Sequence, residues 1–241
     1  MREAVVLAGG FGTRLQQVVR DLPKPMAPVN GRPFLAYILD ELHHWEFSHV
    51  ILSTGYLHEK IEAFFGSSYR GMRLTYARET EPLGTGGGIW NALQFAASNH
   101  PFVLNGDTLF RVDIAAMEQC FFSHDSLLCL ALRKVPDVSR YGSVALDGEG
   151  KVICFAEKNA VHGEGYINGG VYLLDKKLFD GFQPGERFSF EKEVMEQLYQ
   201  RYSFYGLPTS AYFIDIGIPE DYARAQAELL PKMEFNSSEN R

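Results

Sequence analysis

A short apolar strand that runs directly into a glycine-rich loop constrains the fold of this chain more than any other feature. Residues Glu3–Leu7 are predicted to form a buried strand, and the loop after it contains Gly9-Gly10-Phe11-Gly12-Thr13-Arg14. Glycines let a backbone approach a polyphosphate and turn its N–H groups toward the oxygens, and an arginine adds a fork of donors that fits a phosphate. Ligands bind at the carboxyl ends of strands in open α/β sheets. The loop therefore predicts a nucleotide phosphate site.

Two other phosphate-binding patterns are excluded by the residues of this loop. A dinucleotide-binding fingerprint requires glycine where Leu15 stands, and a P-loop requires Gly-Lys-Ser/Thr after four spacer residues. A plain strand-to-helix turn is compatible with one or two glycines. Three glycines followed by Thr13 and Arg14 favour the phosphate site.

Strand-like apolar runs alternate with segments of helical period through the first half of the chain. Further strands are predicted at His49–Ser53, Leu74–Arg78 and Phe102–Asn105, and helices at Phe34–Trp45, Ile61–Phe65 and Thr85–Ser98. This alternation predicts right-handed crossovers and a largely parallel sheet.

The pattern changes after about Ser126, where short turns separate successive strands. The predicted strands are Leu127–Arg133, Ser143–Leu146, Val152–Glu157, Tyr166–Leu174, Phe204–Leu207 and Tyr212–Asp215, and the predicted helices are Lys176–Phe182, Phe190–Tyr199 and Pro219–Leu230. No linker-like segment separates the two patterns. We therefore predict one domain over residues 1–241, in which a half of about residues 126–230 adds antiparallel strands to the sheet begun by about residues 1–125.

Composition and charge exclude several classes of function. The formal net charge is -7 and the basic residues are scattered, which argues against a nucleic-acid-binding surface. No apolar run reaches the length of a membrane span, and the N-terminal run is too short for a signal peptide. The cysteines Cys120, Cys129 and Cys154 have apolar neighbours, so we expect buried free thiols and a cytoplasmic protein.

One lysine lies between two prolines shortly after the glycine-rich loop. Pro23 and Pro25 stiffen the backbone around Lys24 and predict that this segment is not helical. A stiff segment that presents one ammonium suits contact with a transferring phosphoryl group. By itself Lys24 is more typical of a solvated loop lysine, but its closeness in sequence to Arg14 strengthens the functional interpretation.

Two aspartates end apolar runs that are far apart in the sequence. Asp107 closes the strand Phe102–Asn105, and Asp215 closes the run that precedes Gly217. Mg²⁺ takes one or two protein carboxylates and completes its octahedron with water and phosphate oxygens. The pair therefore predicts a magnesium site, although capping of the next turn is an equally good explanation of Asp107 alone.

A second glycine-rich segment, Gly84-Thr85-Gly86-Gly87-Gly88, precedes the helix Thr85–Ser98. Small residues let the chain pack against a base or phosphate, and a helix N-terminus offers free N–H donors. The acidic residues before it, Glu79 and Glu81, are suited to accept from guanine N–H groups. A cap at Thr85 is compatible with either role.

The antiparallel half contains polar residues that suit a sugar. Glu157 and Asn168 can bind vicinal hydroxyls by paired hydrogen bonds, and Lys158 can contact a sugar phosphate. Tyr141, Gly142 and the pair Gly169-Gly170 lie close to them in sequence. Each of these residues is also typical of a turn or a surface, and the seven histidines show no metal-ligand spacing.

The order of these motifs resembles that of the nucleotidyltransferases that make nucleotide sugars, from residue 3 to about residue 226. Within that family the resemblance is strongest to the enzymes that act on D-glycero-α-D-manno-heptose 1-phosphate with GTP. Mannose-1-phosphate guanylyltransferases and N-acetylmuramate- or hexose-1-phosphate uridylyltransferases are similar as well. The motifs that carry it are Leu7-Ala8-Gly9-Gly10-Phe11-Gly12-Thr13-Arg14-Leu15, Lys24-Pro25-Met26, Glu81-Pro82-Leu83-Gly84-Thr85-Gly86, Asn105-Gly106-Asp107-Thr108, Glu157-Lys158, Asn168-Gly169-Gly170 and Asp215-Ile216-Gly217.

The resemblance implies a three-layer α/β/α sandwich with a mostly parallel mixed sheet, the Rossmann-like nucleotidyltransferase fold. It also implies a role for each motif residue. Arg14 and Lys24 would be catalytic, and Asp107 and Asp215 would hold Mg²⁺. The nucleotide would contact Leu7, Ala8, Gly9, Gly10, Gly12, Thr13 and Gly84, and the sugar would contact Gly142, Glu157, Lys158 and Asn168. One departure is Ile216, where several relatives have a polar residue, so that water would complete the metal site beside Asp215.

The chemistry that the resemblance implies is attack of a sugar 1-phosphate on the α-phosphorus of a nucleoside triphosphate. GTP and heptose 1-phosphate are favoured by the resemblance alone, and a monomer or small homo-oligomer is expected. A regulatory subunit that binds nucleotide sugars without turnover is a rival, but degenerate copies usually lose one of Arg14, Lys24, Asp107 and Asp215. A glycosyltransferase is a second rival, and it would require Asp-x-Asp where Asn105-Gly106-Asp107 stands.

Overall fold

The computed structural model describes residues 1–10, 19, 21–139, 142–156 and 162–229. Within these ranges the strands are β1 (Arg2–Leu7), β2 (Pro28–Val29), β3 (Arg32–Pro33), β4 (Phe47–Thr54), β5 (Ser68–Tyr69), β6 (Met72–Arg78), β7 (Phe102–Asn105), β8 (Thr108–Phe110), β9 (Leu128–Val135), β10 (Ser143–Leu146), β11 (Val152–Ala156), β12 (Gly165–Leu174), β13 (Phe204–Thr209) and β14 (Phe213–Asp215).

The α-helices are α1 (Phe34–His44), α2 (His58–Phe65), α3 (Gly84–Leu93), α4 (Ile114–Ser123), α5 (Glu196–Leu198) and α6 (Pro219–Glu228). Two 3₁₀ turns lie at Lys24–Met26 and Lys176–Phe179, and a π-helix at Phe190–Met195 leads directly into α5.

One mixed sheet organises the described part of the chain. Its strands follow the order β11-β10-β12-β7-β1-β4-β6-β5, and β9 and β13 continue from β12. The pairs β7–β1, β1–β4 and β4–β6 are parallel, as the alternation of strands and helices predicts. Parallel strands are covered on both faces, which explains their continuous apolar runs.

Two hydrophobic cores lie on the two faces of this sheet. Ala4 and Val6 of β1 belong to one core and Val5 to the other, because alternate residues of a strand point to opposite faces. Leu35 of α1 packs into the first core and Ile89 of α3 into the second. Helices therefore cover both faces, and the predicted three-layer α/β/α fold is confirmed.

Strand β12 joins the two halves of the chain in one sheet. Its Tyr172 pairs with Val103 of β7 on one side and with Leu130 of β9 on the other, both antiparallel. The register with β9 shifts after Asn168, where a side chain on Gly170 would collide with that of Asn105. The sequence predicted such antiparallel additions, whereas the parallel pair β13–β9 was not foreseen.

Several local predictions are wrong. The sequence indicated no helix around Lys24, but Lys24–Met26 is a 3₁₀ turn with a proline in its first positions, where a missing N–H costs nothing. Helix α4 was not predicted at all. It begins at Ile114 and is capped by Asp113, whose side chain accepts from the Ala116 N–H. Helix α3 ends at Leu93 instead of Ser98.

The cysteines are free, as predicted, but they are not all buried. Cys129 is buried, Cys120 is partly buried and Cys154 is exposed, because it lies on the edge strand β11. None of the helices in the described ranges is long and apolar enough to cross a membrane.

Candidate active site

A cleft of about 900 Å³ opens at the carboxyl ends of β1 and β7. This is the edge of the sheet at which the glycine-rich loop was expected to bind phosphates. The described residues that line it include Leu7, Gly9, Gly10, Lys24, Pro25, Gly55, Tyr56, Glu79, Glu81, Gly84, Thr85, Asn105, Gly106, Asp107 and Glu191.

One lysine and two aspartates form a cluster, of which Lys24 and Asp107 line this cleft. The Nζ atom of Lys24 lies 2.5 Å from Oδ2 of Asp107 and 3.8 Å from Oδ1 of Asp215. The short ladder β8–β14 brings the aspartates together, because Asp215 pairs with Thr108 and the Ile216 N–H donates to the Asp107 carbonyl. The three residues singled out from distant parts of the sequence therefore form one cluster.

The electrostatics of the cluster are those of two carboxylates that share one cation. Burial and then the charge of Asp107 raise the pKa of Asp215, while Lys24 opposes them. Oxygen ligands of this kind are what Mg²⁺ prefers, and a divalent ion would relieve the repulsion that raises this pKa. Within the described ranges there is no group of three or more His, Cys, Asp or Glu side chains placed to hold a metal. The pair therefore fits a magnesium ion that takes its remaining ligands from water and phosphate, and this role stays a prediction.

The first glycine-rich segment is only partly described. Leu7, Gly9 and Gly10 line the cleft, whereas the side chain of Ala8 lies in the core and its N–H donates to the Ser53 carbonyl. Gly9 is closely packed, because a Cβ there would lie 3.2 Å from both the Glu79 carboxylate and the Gly55 nitrogen and would require small shifts of its neighbours. The predicted phosphate-binding residues Gly12, Thr13 and Arg14 lie outside the described residues.

The close approach of β7 to β1 depends on Gly106. Its N–H donates to the Leu7 carbonyl at 2.9 Å, and a Cβ at this position would lie 2.4 Å from the same oxygen. We expect Gly106→Ala to lower the free energy of unfolding by about 2 kcal/mol or more, because a backbone contact must give way. Gly148→Ala is the matched control, since a Cβ there meets nothing within 4 Å. Equal denaturation midpoints for the two variants would contradict this expectation.

The second glycine-rich segment packs mainly against protein. Gly84 lines the cleft, but the N–H groups of Gly86 and Gly87 donate to the Phe188 carbonyl. Added Cβ atoms at Gly86 and Gly87 would collide with Phe188 and with the Glu186 carbonyl. The prediction of free donors at this helix end is therefore wrong for these two residues. The alternative of a side-chain cap at Thr85 is also wrong, since the Thr85 hydroxyl donates to Glu191.

The residues predicted to bind the sugar lie on neighbouring strands. Gly142 precedes Ser143, which pairs with Ile167, the residue before Asn168. The Asn168 amide donates to the hydroxyl of Tyr172, and its Oδ1 accepts from the Gly170 N–H. Gly142 and Asn168 are therefore close to each other but do not line the cleft itself. Glu157 and Lys158 lie outside the described residues, as does Tyr141.

Besides Glu81 and Asp107, the carboxylates of Glu79 and Glu191 line the cleft. Glu79 accepts from the Ser53 hydroxyl at 3.0 Å and from the Leu83 N–H at 3.1 Å, which holds its side chain in place. Glu191 comes from the π-helix and was not predicted as a site residue. No linear motif connects it to the segment that it contacts, so the sequence contained no signal for it.

A family model described as Nucleotidyl transferase matches residues 3–232 of the chain. The chain belongs to this nucleotidyl transferase family. The resemblance inferred from the motifs is thus confirmed, and the match spans both halves of the sheet.

Relatives within the nucleotidyl transferase family are similar over nearly the whole chain. D-glycero-alpha-D-manno-heptose 1-phosphate guanylyltransferase of Aneurinibacillus thermoaerophilus is 47% identical over 94% of this chain and 98% of its own length. Mannose-1-phosphate guanylyltransferase of Mycobacterium tuberculosis is 37% identical over 95% of this chain and 64% of its own length. The crystal structure of HddC from Yersinia pseudotuberculosis complexed with GMP-PN matches with a TM-score of 0.83 and 37% identity, over 95% of this chain and 100% of that chain.

Proposed function

We propose that this nucleotidyltransferase transfers GMP from GTP to D-glycero-α-D-manno-heptose 1-phosphate and releases pyrophosphate. The observation that carries the proposal is the cluster of Lys24, Asp107 and Asp215 beside a nucleotide-sized cleft. The heptose-specific relative, 47% identical over 98% of its length, supports the choice of substrates.

Free cysteines are typical of a reducing compartment, and we propose that the reaction takes place in the cytoplasm.

The chemistry follows from the charges that meet in the cleft. A phosphate oxygen of the sugar 1-phosphate attacks the α-phosphorus of GTP in line, the new P–O bond forms, and the bond to pyrophosphate breaks. The attacking oxygen is already an anion, so no general base is needed. The protein must offset the repulsion between two polyanions, and Lys24 does so by placing its ammonium beside the reacting phosphates.

Asp107 and Asp215 are the residues that would hold Mg²⁺ in this reaction. When bound, the ion supplies charge neutralisation for the triphosphate and the pyrophosphate leaving group. Burial and then the charge of Asp107 raise the pKa of Asp215, so a cation bound between the two carboxylates would stabilise their charged forms.

The acidic side of the cleft supports guanine as the base. Guanine presents N1–H and N2–H₂ as adjacent donors, and a carboxylate is an acceptor-only group that can take both. Uracil presents one N–H between two carbonyl oxygens, which a carboxylate would repel. Glu79 lines the cleft with its carboxylate held by Ser53 and Leu83, so it is the acceptor that we assign to guanine.

Glu79→Gln should weaken guanine binding more than it affects the fold. We expect the KM for GTP to rise about 10-fold with kcat changed less, because a bidentate contact to a base edge is replaced by one donor and one acceptor. Glu59→Gln, at an exposed position of α2, is the control for loss of one negative charge. An unchanged KM for GTP in the Glu79 variant would assign guanine recognition to other residues.

A substrate panel tests the proposed function directly. Pyrophosphate release would be measured for GTP, ATP, UTP and CTP, each with heptose, mannose, glucose and N-acetylmuramate 1-phosphates. We expect the highest kcat/KM for GTP with the heptose substrate. A preference for mannose 1-phosphate or for UTP would show that the proposed substrates are wrong. Binding of nucleotide without release of pyrophosphate would indicate a regulatory subunit.

A further inference from the structure

Glu191 is a cleft carboxylate to which neither the nucleotide nor the metal chemistry assigns a role. It is the second residue of the π-helix Phe190–Met195, whose start is capped by the Ser189 hydroxyl accepting from the Lys192 N–H. π-helical turns are rare and are frequently found at functional sites, because they redirect individual side chains. Here the turn places Glu191 on the cleft wall beside Thr85.

The carboxylate of Glu191 is held in place by two hydroxyl groups. Its Oε2 atom accepts from the Thr85 hydroxyl at 2.6 Å and from the Ser189 hydroxyl at 2.9 Å. The Thr85 oxygen in turn accepts from the Phe190 N–H at 2.9 Å. Within the described ranges Glu191 forms no ion pair, so its charge is fixed in position without being neutralised.

The charge of Glu191 restricts what it can bind. A carboxylate repels the phosphates of GTP and of the sugar 1-phosphate, and it can only accept hydrogen bonds. An uncharged group with neighbouring hydrogen-bond donors is therefore the chemistry that suits it. In the proposed reaction these groups are the guanine edge, which is assigned to Glu79, and the hydroxyl groups of the heptose and the ribose.

The neighbours of Glu191 favour the heptose. The π-helix contacts the strand assigned to the sugar, since the Asn168 amide lies 4.0 Å from the Met195 sulfur. Burial and then the charge of Glu191 raise the pKa of Tyr172, the residue whose hydroxyl is bonded to Asn168. The segment that carries Glu191 therefore packs against the strand that carries Asn168. Among the described residues no hydrogen bond or ion pair joins Glu191 to Lys24 or Asp107, where the phosphate on C1 of the sugar would be bound.

We propose that Glu191 accepts hydrogen bonds from the exocyclic hydroxyl groups of the heptose and so distinguishes it from a hexose. This inference rests on the proposed function, because it takes the heptose as the acceptor. The exocyclic carbons lie at the end of the pyranose away from C1, and the ion pairs of the Lys24 cluster, which would hold the C1 phosphate, do not include Glu191 among the described residues. Thr85 and Ser189 act as positioning residues for the carboxylate.

The test compares two substrates that differ at the exocyclic end. Mannose 1-phosphate has the ring stereochemistry of the heptose and lacks its seventh carbon. For Glu191→Gln we expect kcat/KM for heptose 1-phosphate to fall about 10-fold or more through KM, because a charged acceptor is lost. We expect kcat/KM for mannose 1-phosphate and the KM for GTP to change less than about two-fold, since mannose lacks the hydroxyl on the seventh carbon that Glu191 would bind and GTP does not reach this carboxylate.

Glu193→Gln is the matched control. It removes a carboxylate of the same π-helix, which accepts from the Ser189 N–H at 2.7 Å and does not line the cleft. If either substitution disturbed the helix, the thermal midpoint and the turnover of both sugars would change together. A loss of heptose turnover alone, with an unchanged thermal midpoint, would indicate a lost substrate contact.

Three results would overturn the assignment of Glu191. Equal losses for heptose and mannose 1-phosphates would place Glu191 at the ring, and a raised KM for GTP would place it at the ribose. Wild-type kinetics in the Glu191→Gln variant would show that Glu191 does not bind either substrate. If the wild-type enzyme itself preferred mannose 1-phosphate, the proposed function would fail together with this inference, and the wild-type measurement alone distinguishes that case.

Discussion

Replacement of Lys24 by alanine is expected to lower kcat on the order of 10²-fold or more, with the fold intact. The ammonium lies 2.5 Å from the Asp107 carboxylate in a side chain that is only 13% exposed, so its charge is poorly screened by solvent. Loss of one such contact to the developing charge of a transition state typically costs 10²–10³-fold in kcat. The effect should appear in kcat more than in KM, because charge moves to the pyrophosphate only as the bond breaks.

The measurement is the steady-state rate of pyrophosphate release with GTP and heptose 1-phosphate, beside a thermal denaturation curve. Lys134→Ala is the control, because Lys134 is an exposed lysine paired with Glu164 on the surface. We expect wild-type turnover in the control and a cooperative unfolding transition in both variants. Unchanged kcat in Lys24→Ala would exclude the catalytic role of this lysine.

The central part of the fold could be predicted from the sequence because burial determines its pattern. Strands β1, β4 and β7 are covered on both faces, so each is a continuous apolar run of the expected length. Helix α4 was missed because its residues do not show such a clear pattern. Phe122 is exposed although it is large and apolar, and only the Asp113 cap marks where the helix begins.

The sequence indicated which residues belong to the candidate site, but it did not indicate how they contact one another. Asp107 and Asp215 each follow an apolar run, but their contact with Lys24 depends on the register of the two three-residue strands β8 and β14. Short strands of this kind carry too few residues for their pairing to be inferred from sequence. Gly86 and Gly87 were wrongly predicted to contact a ligand. They are glycines because residues 186–188 pack directly against them and leave no room for a Cβ atom.

The contact of Thr85 with Glu191 is the least predictable feature of the site. The two residues are 106 positions apart, and their hydrogen bond depends on how the π-helix packs against the start of α3. Neither periodicity nor a motif encodes such a contact. Substrate specificity on a cleft wall is therefore accessible only once the packing of distant segments is known.

Replacement of Asp215 by asparagine should abolish most activity while leaving the metal-free protein at least as stable as the wild type near neutral pH. Removal of one of two charged ligands weakens Mg²⁺ binding and the neutralisation that the ion supplies. We expect kcat/KM to fall about 10²–10³-fold, several kcal/mol in the barrier. Direct titration with Mn²⁺ should show weaker binding in the variant. Wild-type affinity for Mn²⁺ would contradict the metal assignment.

The stability part of this prediction follows from the pKa of Asp215, which burial and the charge of Asp107 raise. A carboxyl group with a raised pKa in the folded state binds its proton more tightly there than in the unfolded chain. The wild type therefore loses stability as the pH rises from the ordinary pKa of aspartate through the raised one. Asparagine does not titrate, so thermal midpoints of the metal-free variant should lack this decline and should equal or exceed those of the wild type above that range. A variant that is less stable than the wild type at pH 8 without metal would show that the charged form of Asp215, paired with Lys24, stabilises the fold.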